Sequence, residues 1–147
     1  CPDDIRTELI GNPSDQTKNK EVWETTHKRV AEAILSGLTV VVDATFAHAW
    51  QRKSFLEFLR NTGVEKIEGL YIDTPLEIAK KRNTNRERKV PEHVLERMSG
   101  FIKDNSPEIN DGFDALFVLD ENQKMVSAEI KNQDGVVLRK EFQIKMK

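Results

Sequence analysis

Three clusters of polar residues have types and spacings suited to chemistry on hydroxyl or phosphate groups. The first is Asp3, Asp4 and Arg6. Two acids ahead of a helix serve as cap and dipole partner. The same acids also offer a general base, with Arg6 about one turn on as an anion clamp. The second is Asp43 with Thr45, at the end of the apolar run Leu38-Thr39-Val40-Val41-Val42. A carboxylate at the end of a buried strand needs a metal, a hydrogen-bond donor or an Arg, unless it caps the next helix. The third is Arg82-Asn83-Thr84-Asn85-Arg86, followed by Glu87-Arg88-Lys89-Val90-Pro91. Arginines four apart share one helix face, and their repulsion is relieved by an anion between them. Guanidinium forks suit phosphate. A solvated basic helix end is the plainer reading.

Other chemistries find no support. There is no metal-ligand spacing, nucleophile elbow or dinucleotide fingerprint, and His27, His48 and His93 are scattered. Trp23 and Trp50 lie in helical contexts and read as packing residues. The chain has 147 residues and a net charge of -2, which argues against a protein that coats nucleic acid non-specifically. One cysteine allows no internal disulfide and points to a cytoplasmic protein. No apolar run is long enough to span a membrane, and no signal-peptide pattern appears.

These residues must be positioned by elements that the pattern also supplies. Pro2 with Asp3 or Asp4 as cap opens a short helix through Leu9. Trp23, Thr26, Val30, Ala33 and Ile34 mark one face of a second helix, which Gly37 stops. Leu38 to Thr45 then reads as a strand buried on both faces, as in the middle of a parallel sheet, with its functional groups at the carboxyl end. A helix follows over Ala49 to Asn61, closed by Gly63, and a strand over Lys66 to Asp73. Thr74 caps a helix with Pro75 at its first position, and Pro91 opens another. A strand covers Phe113 to Leu119. Two alternating runs from Met125 to Met146 flank Asn132-Gln133-Asp134-Gly135, a hairpin signal. Strands alternating with helices imply a parallel sheet and one α/β domain.

Taken in order, these segments resemble the P-loop kinase group that includes phage polynucleotide kinase and related zeta-toxin-like small ATP-dependent kinases. The likeness rests on DDIR near the start, the helix ending in Ser36-Gly37, VVVDAT, Gln51-Arg52, the strand ending Tyr71-Ile72-Asp73-Thr74-Pro75, Arg82-x-x-x-Arg86, and Val90-Pro91 with the helix to Met98. Asn110-Asp111-Gly112-Phe113-Asp114 is similar to the group's turn before its last sheet strand. The resemblance implies a three-layer P-loop NTPase-like parallel sheet flanked by helices, over a core of residues 1–119. Residues 120–147 would add a C-terminal hairpin to the same domain. It makes Asp3 the base that accepts the proton of the attacking hydroxyl and gives Arg6 the orientation of the acceptor. Asp43 would support the acceptor and phosphate site, and Arg82 and Arg86 would form a lid on the ATP phosphates.

The implied substrates and cofactors are ATP, Mg2+ and a hydroxyl acceptor, with a nucleic acid 5′ end first among acceptors and a small molecule second. No residue is assigned to a metal. The group's G-x-x-x-x-G-K-S/T loop does not occur here, since GNPSDQTKNK does not fit it. The start at Cys1 leads to the expectation that this loop and the first strand precede it in a longer protein. Phe46 stands where many of the group carry Asn. Two rivals remain, a small-molecule or toxin-type kinase and a non-catalytic remnant that binds phosphate-rich ligands or a partner.

Overall fold

The computed structural model describes residues 1–142. Their elements run α1 (Pro2–Ile10), α2 (Asn19–Leu35), α3 (Ala49–Asn61), β1 (Glu68–Ile72), α4 (Leu76–Thr84), α5 (Glu92–Asp104), a 3-10 turn (Ile109–Asp111), β2 (Ala115–Leu119), β3 (Met125–Lys131) and β4 (Val137–Glu141). The chain divides into two compact units. One holds Cys1–Phe46 and Phe58–Val64, and the other holds Ala47–Glu57 and the chain from Glu65 on.

In the first unit, α1 and α2 pack through Ile5, Val22, Thr26 and Val30, all buried. Val22 is wholly enclosed, and burial of a valine side chain contributes about 1.5–3 kcal/mol. Thr26 satisfies its hydroxyl within the helix by donating to the Val22 carbonyl at 2.7 Å. An ion pair between Arg29 and Glu8, 2.5 Å apart, joins the two helices at the surface. Asp3 and Asp4 do not cap α1. Cys1 is its N-cap and Pro2 its first residue, so both acids fall in the first turn and favour the dipole from there. α2 stops as its sequence directs. Gly37 takes φ 79°, and the Leu38 amide donates back to Ala33 at 3.1 Å.

Leu38 to Thr45 is the main departure. The run is extended but forms no strand. From Thr39 to Thr45 no backbone group is hydrogen bonded among the described residues. Val40, Val42 and Ala44 are half-buried, while the alternate residues face out, and Val41 is 87% exposed. Pattern and propensity favour an extended chain, but a strand exists only when neighbours take up its amides and carbonyls.

The second unit is built on a four-stranded sheet of order β1-β2-β3-β4. β1 and β2 are parallel, from Glu68 opposite Ala115 to Ile72 opposite Leu119, and the connection between them carries α4 and α5. β2/β3 and β3/β4 are antiparallel. The sheet is therefore mixed, and the expectation of a parallel sheet holds only for its first pair. Asn132 and Gly135 turn the chain between β3 and β4. The Asn132 side chain accepts from the Val136 amide at 2.8 Å, and Gly135 adopts φ 77°. The expected hairpin beyond residue 142 lies outside the described residues.

Gly69 lets β1 approach its cover closely. A Cβ there would sit 2.9 Å from Leu116 Cδ1 and from Phe113 Cε1. Arg52 and Asp111, each side chain 4% exposed, form a buried ion pair with Nε 2.7 Å from Oδ2. Arg52 Nη2 also donates to the carbonyls of Asn105 and Ser106, at 2.8 and 3.2 Å. Asp111 Oδ2 further accepts from the Glu108 amide.

Candidate active site

α1 brings Asp3 and Arg6 together, because residues three apart face each other across one helical turn. Arg6 Nη1 donates to Asp3 Oδ1. The two differ in exposure: Arg6 is buried and Asp3 about half exposed. Arg6 Nη2 donates to Asn19 Oδ1 at 2.9 Å, at the start of α2. Arg6 Nε is buried without a hydrogen-bond partner among the described residues. Thus the guanidinium is fixed on two sides and its Nε is buried unpaired, beside a carboxylate that reaches solvent. Such a pair can hold a base in one orientation and meet an anion or hydroxyl.

Asp43 stands in the same unit at the end of the extended run. It is exposed and makes no hydrogen bond or ion pair among the described residues. The expectation of a carboxylate at a buried strand end is not met, so its charge needs no buried partner. Phe46 follows with φ 41°, a left-handed conformation that costs a non-glycine residue of order 1–3 kcal/mol. Its ring packs on Trp23 at 5.7 Å, and Trp23 in turn meets His27 at 6.1 Å. Trp23 is therefore a packing residue, as its spacing suggests. A groove of about 290 Å³ runs beside Asp4, Glu8, Arg29 and Val40 to Val42.

In the second unit, Arg82 lies in the last turn of α4 and donates to the Glu121 carbonyl. Arg86 lies beyond the helix. α4 ends at Thr84, with Asn85 as C-cap, so the two arginines do not share a helical face. Asn83, Thr84 and Asn85 are poor helix residues, and the chain leaves after them. Arg86 is exposed and has no side-chain partner among the described residues. Pro75 and Pro91 are the N-caps of α4 and α5; Thr74 is not the cap of α4, and neither proline is the first helical residue.

α4 and α5 are tied by Lys80, which meets Glu92 and Glu96 at 2.7 Å each. The hydrogen bonds it donates to Glu92 and then Glu96 hold the Lys80 ammonium above the usual lysine range, and Lys80 holds the Glu92 carboxyl below its own. Trp50, read as packing, is 68% exposed. It stacks on His48, which also lies 4.3 Å from Phe101.

The residues from α1 to the last turn of α5 match one protein family. The AAA domain family covers residues 2–103, more than half of the chain. The chain belongs to the AAA domain family. This is a P-loop NTPase-like family that commonly includes kinases, and its domains generally bind nucleotide with Mg2+. No curated protein matches the chain. The AAA domain match takes in Asp3, Arg6, Asp43, Arg82 and Arg86, and stops before β2. Among the described residues no helix is long and apolar enough to cross a membrane. Two polar features of the AAA domain were not read from spacing. Arg52 on the apolar face of α3, with Phe55 and Leu56, signals a buried charge, but not where its partner is. The Asn83 side chain holds the Val90 backbone, and only the following Pro91 marks that place.

Proposed function

We propose that the chain carries the acceptor and lid residues of an ATP-dependent kinase that transfers the γ-phosphoryl group to a hydroxyl. The acceptor we favour is the 5′-hydroxyl of a nucleic acid. The observation that carries this reading is a single family match containing all five candidate residues. The Asp3–Arg6 pair supports it, since phosphoryl transfer asks the protein chiefly for positioning and charge neutralisation. In this reading the hydroxyl oxygen bonds to the γ-phosphorus, the bond to the β,γ-bridging oxygen breaks, ADP leaves, and the hydroxyl proton passes to Asp3. Arg6 holds Asp3 in place and, through its positive charge, orients the acceptor. Asp43 supports the acceptor, and Arg82 and Arg86 neutralise the ATP phosphates.

Mg2+ supplies charge neutralisation on the transferred group. Mg2+ is ordinarily held by substrate phosphates with one or two carboxylates, so in this reading the ATP phosphates would be its main ligands. We also place the phosphate loop and first strand outside residues 1–147. The backbone from Thr39 to Thr45, unpaired among the described residues, supports this.

The test is transfer from labelled ATP to 5′-hydroxyl oligonucleotides by the full-length protein. Asp3→Asn is expected to lower turnover about 100-fold or more while ATP binding persists, the range of general-base catalysis. Absence of transfer to any oligonucleotide sinks the acceptor assignment, and unchanged turnover in the variant refutes the base. Phe46 favours a second reading, a kinase for small hydroxyl compounds, because an aromatic ring packed on Trp23 stands where the resemblance calls for an amide. Label passing to small alcohols but not oligonucleotides would select it.

A further inference from the structure

The loop that carries Arg86 is closed by a side chain outside the residues so far given roles. The Asn83 carboxamide makes two hydrogen bonds with one residue. Its Nδ2 donates to the Val90 carbonyl at 2.8 Å, and its Oδ1 accepts from the Val90 amide at 2.9 Å. The side chain thus imitates a peptide group in an antiparallel pair and closes the loop from Asn85 to Lys89. Sequence chemistry prepares both ends. Pro91 drives Val90 toward an extended conformation, which leaves both its backbone groups open to one partner. Asn83 sits in the last turn of α4, where the chain departs through bonds from Asn85 to Arg82 and from Arg86 to Asn83, at 3.2 and 3.3 Å.

Only asparagine meets the requirement well. It carries one donor and one acceptor on a short stem, whereas Asp lacks the donor and Gln adds a rotatable bond. Lys80, between Glu92 and Glu96, fixes the flanking helices a turn away on either side. Between these two ties lie exposed Arg86 and Lys89 with half-buried Arg88, and Arg86 points no charge at a protein partner among the described residues. A free loop would sample many placements of that guanidinium. A closed one presents it in few, which lowers the entropy lost when it grips an anion.

We propose that Asn83 is the positioning residue of the Arg86 loop, setting where that guanidinium meets a nucleotide phosphate. The proposal rests on the kinase reading for its ligand, but not for the clasp itself. Two measurements on the full-length protein separate them. Limited trypsin digestion reads loop closure without any reaction, because Arg86, Arg88 and Lys89 are cleavage sites. Asn83→Ala is expected to speed cleavage there about tenfold and Asn83→Asp less, while Asn85→Ala leaves it unchanged. Steady-state kinetics with labelled ATP should then show a higher KM for ATP in Asn83→Ala, with KM for the acceptor unaltered and Asn83→Asp intermediate. Equal cleavage of wild type and Asn83→Ala overturns the clasp. Faster cleavage with an unaltered KM for ATP overturns the positioning role. A wild type with no turnover overturns the kinase reading and the phosphate role with it, and digestion still decides the clasp.

Discussion

At Arg52 a guanidinium has been taken out of water and must be answered inside the protein. Asp111 and two carbonyls do so, and the cost of losing one side falls on the other. Arg52→Leu is expected to destabilise the protein by about 3–5 kcal/mol, because Asp111 would remain buried and charged with only the exposed Lys53, 3.7 Å from its Oδ1, to offset it. Arg52→Leu with Asp111→Leu should cost less than the single change, since no charge is then stranded. Urea unfolding of the two variants checks this, and a double variant less stable than the single one would contradict it. At the same scale the sequence was partly legible. Asp3 and Arg6 could be paired from their spacing. Arg82 and Arg86 could not, because their spacing implies a shared face only while the helix lasts. Arg52 could be marked as a buried charge, but Asp111 lies 59 positions away, and such a pairing is made by tertiary packing alone.

Helices were legible because their signals are local. The apolar face of α2 and its glycine stop lie within one stretch of chain, and the hydrogen bonds that form the helix lie there too. β1 and β2 could likewise be marked from composition. The run from Leu38 to Thr45 carries the strongest strand composition in the chain and is not a strand, because its hydrogen bonds must come from elsewhere. The mixed sheet follows from the same limit: the pattern shows where strands begin and end, not which neighbour each takes or in which direction. Within the sheet, Gly69 is a point where one methyl is too many. Gly69→Ala is expected to cost about 1–3 kcal/mol, as overpacking against Leu116 and Phe113 does in a tight core. Thermal unfolding would show it, and an unshifted transition would mean that both side chains can yield.

For the molecule as a whole, pH offers a clean probe because Tyr71 is the one tyrosine. Partial burial, the Asp73 charge and a 3.1 Å hydrogen bond from its hydroxyl to Asp73 Oδ1 push its pKa from 10 up to about 12. The folded protein therefore resists forming the phenolate more than the unfolded chain does. This contribution is fully present below pH 10 and is lost as pH rises from 10 to 12. Ultraviolet titration should place the phenol near 12, and Tyr71→Phe should flatten the alkaline loss of stability. A phenol titrating at the ordinary value would refute the environment described.

The open run at Leu38–Thr45 also bears on how the protein behaves in a tube. Three successive valines, no proline, and amides and carbonyls without partners among the described residues are the makings of a cross-β seed. Asp43 is its one charge, and in that setting it acts as a gatekeeper against self-assembly. The carboxylate proposed to serve catalysis is thus also expected to guard colloidal stability. Neutralising it as Asn would remove both at once, so activity lost by that variant has meaning only when compared with the fraction of protein left in solution.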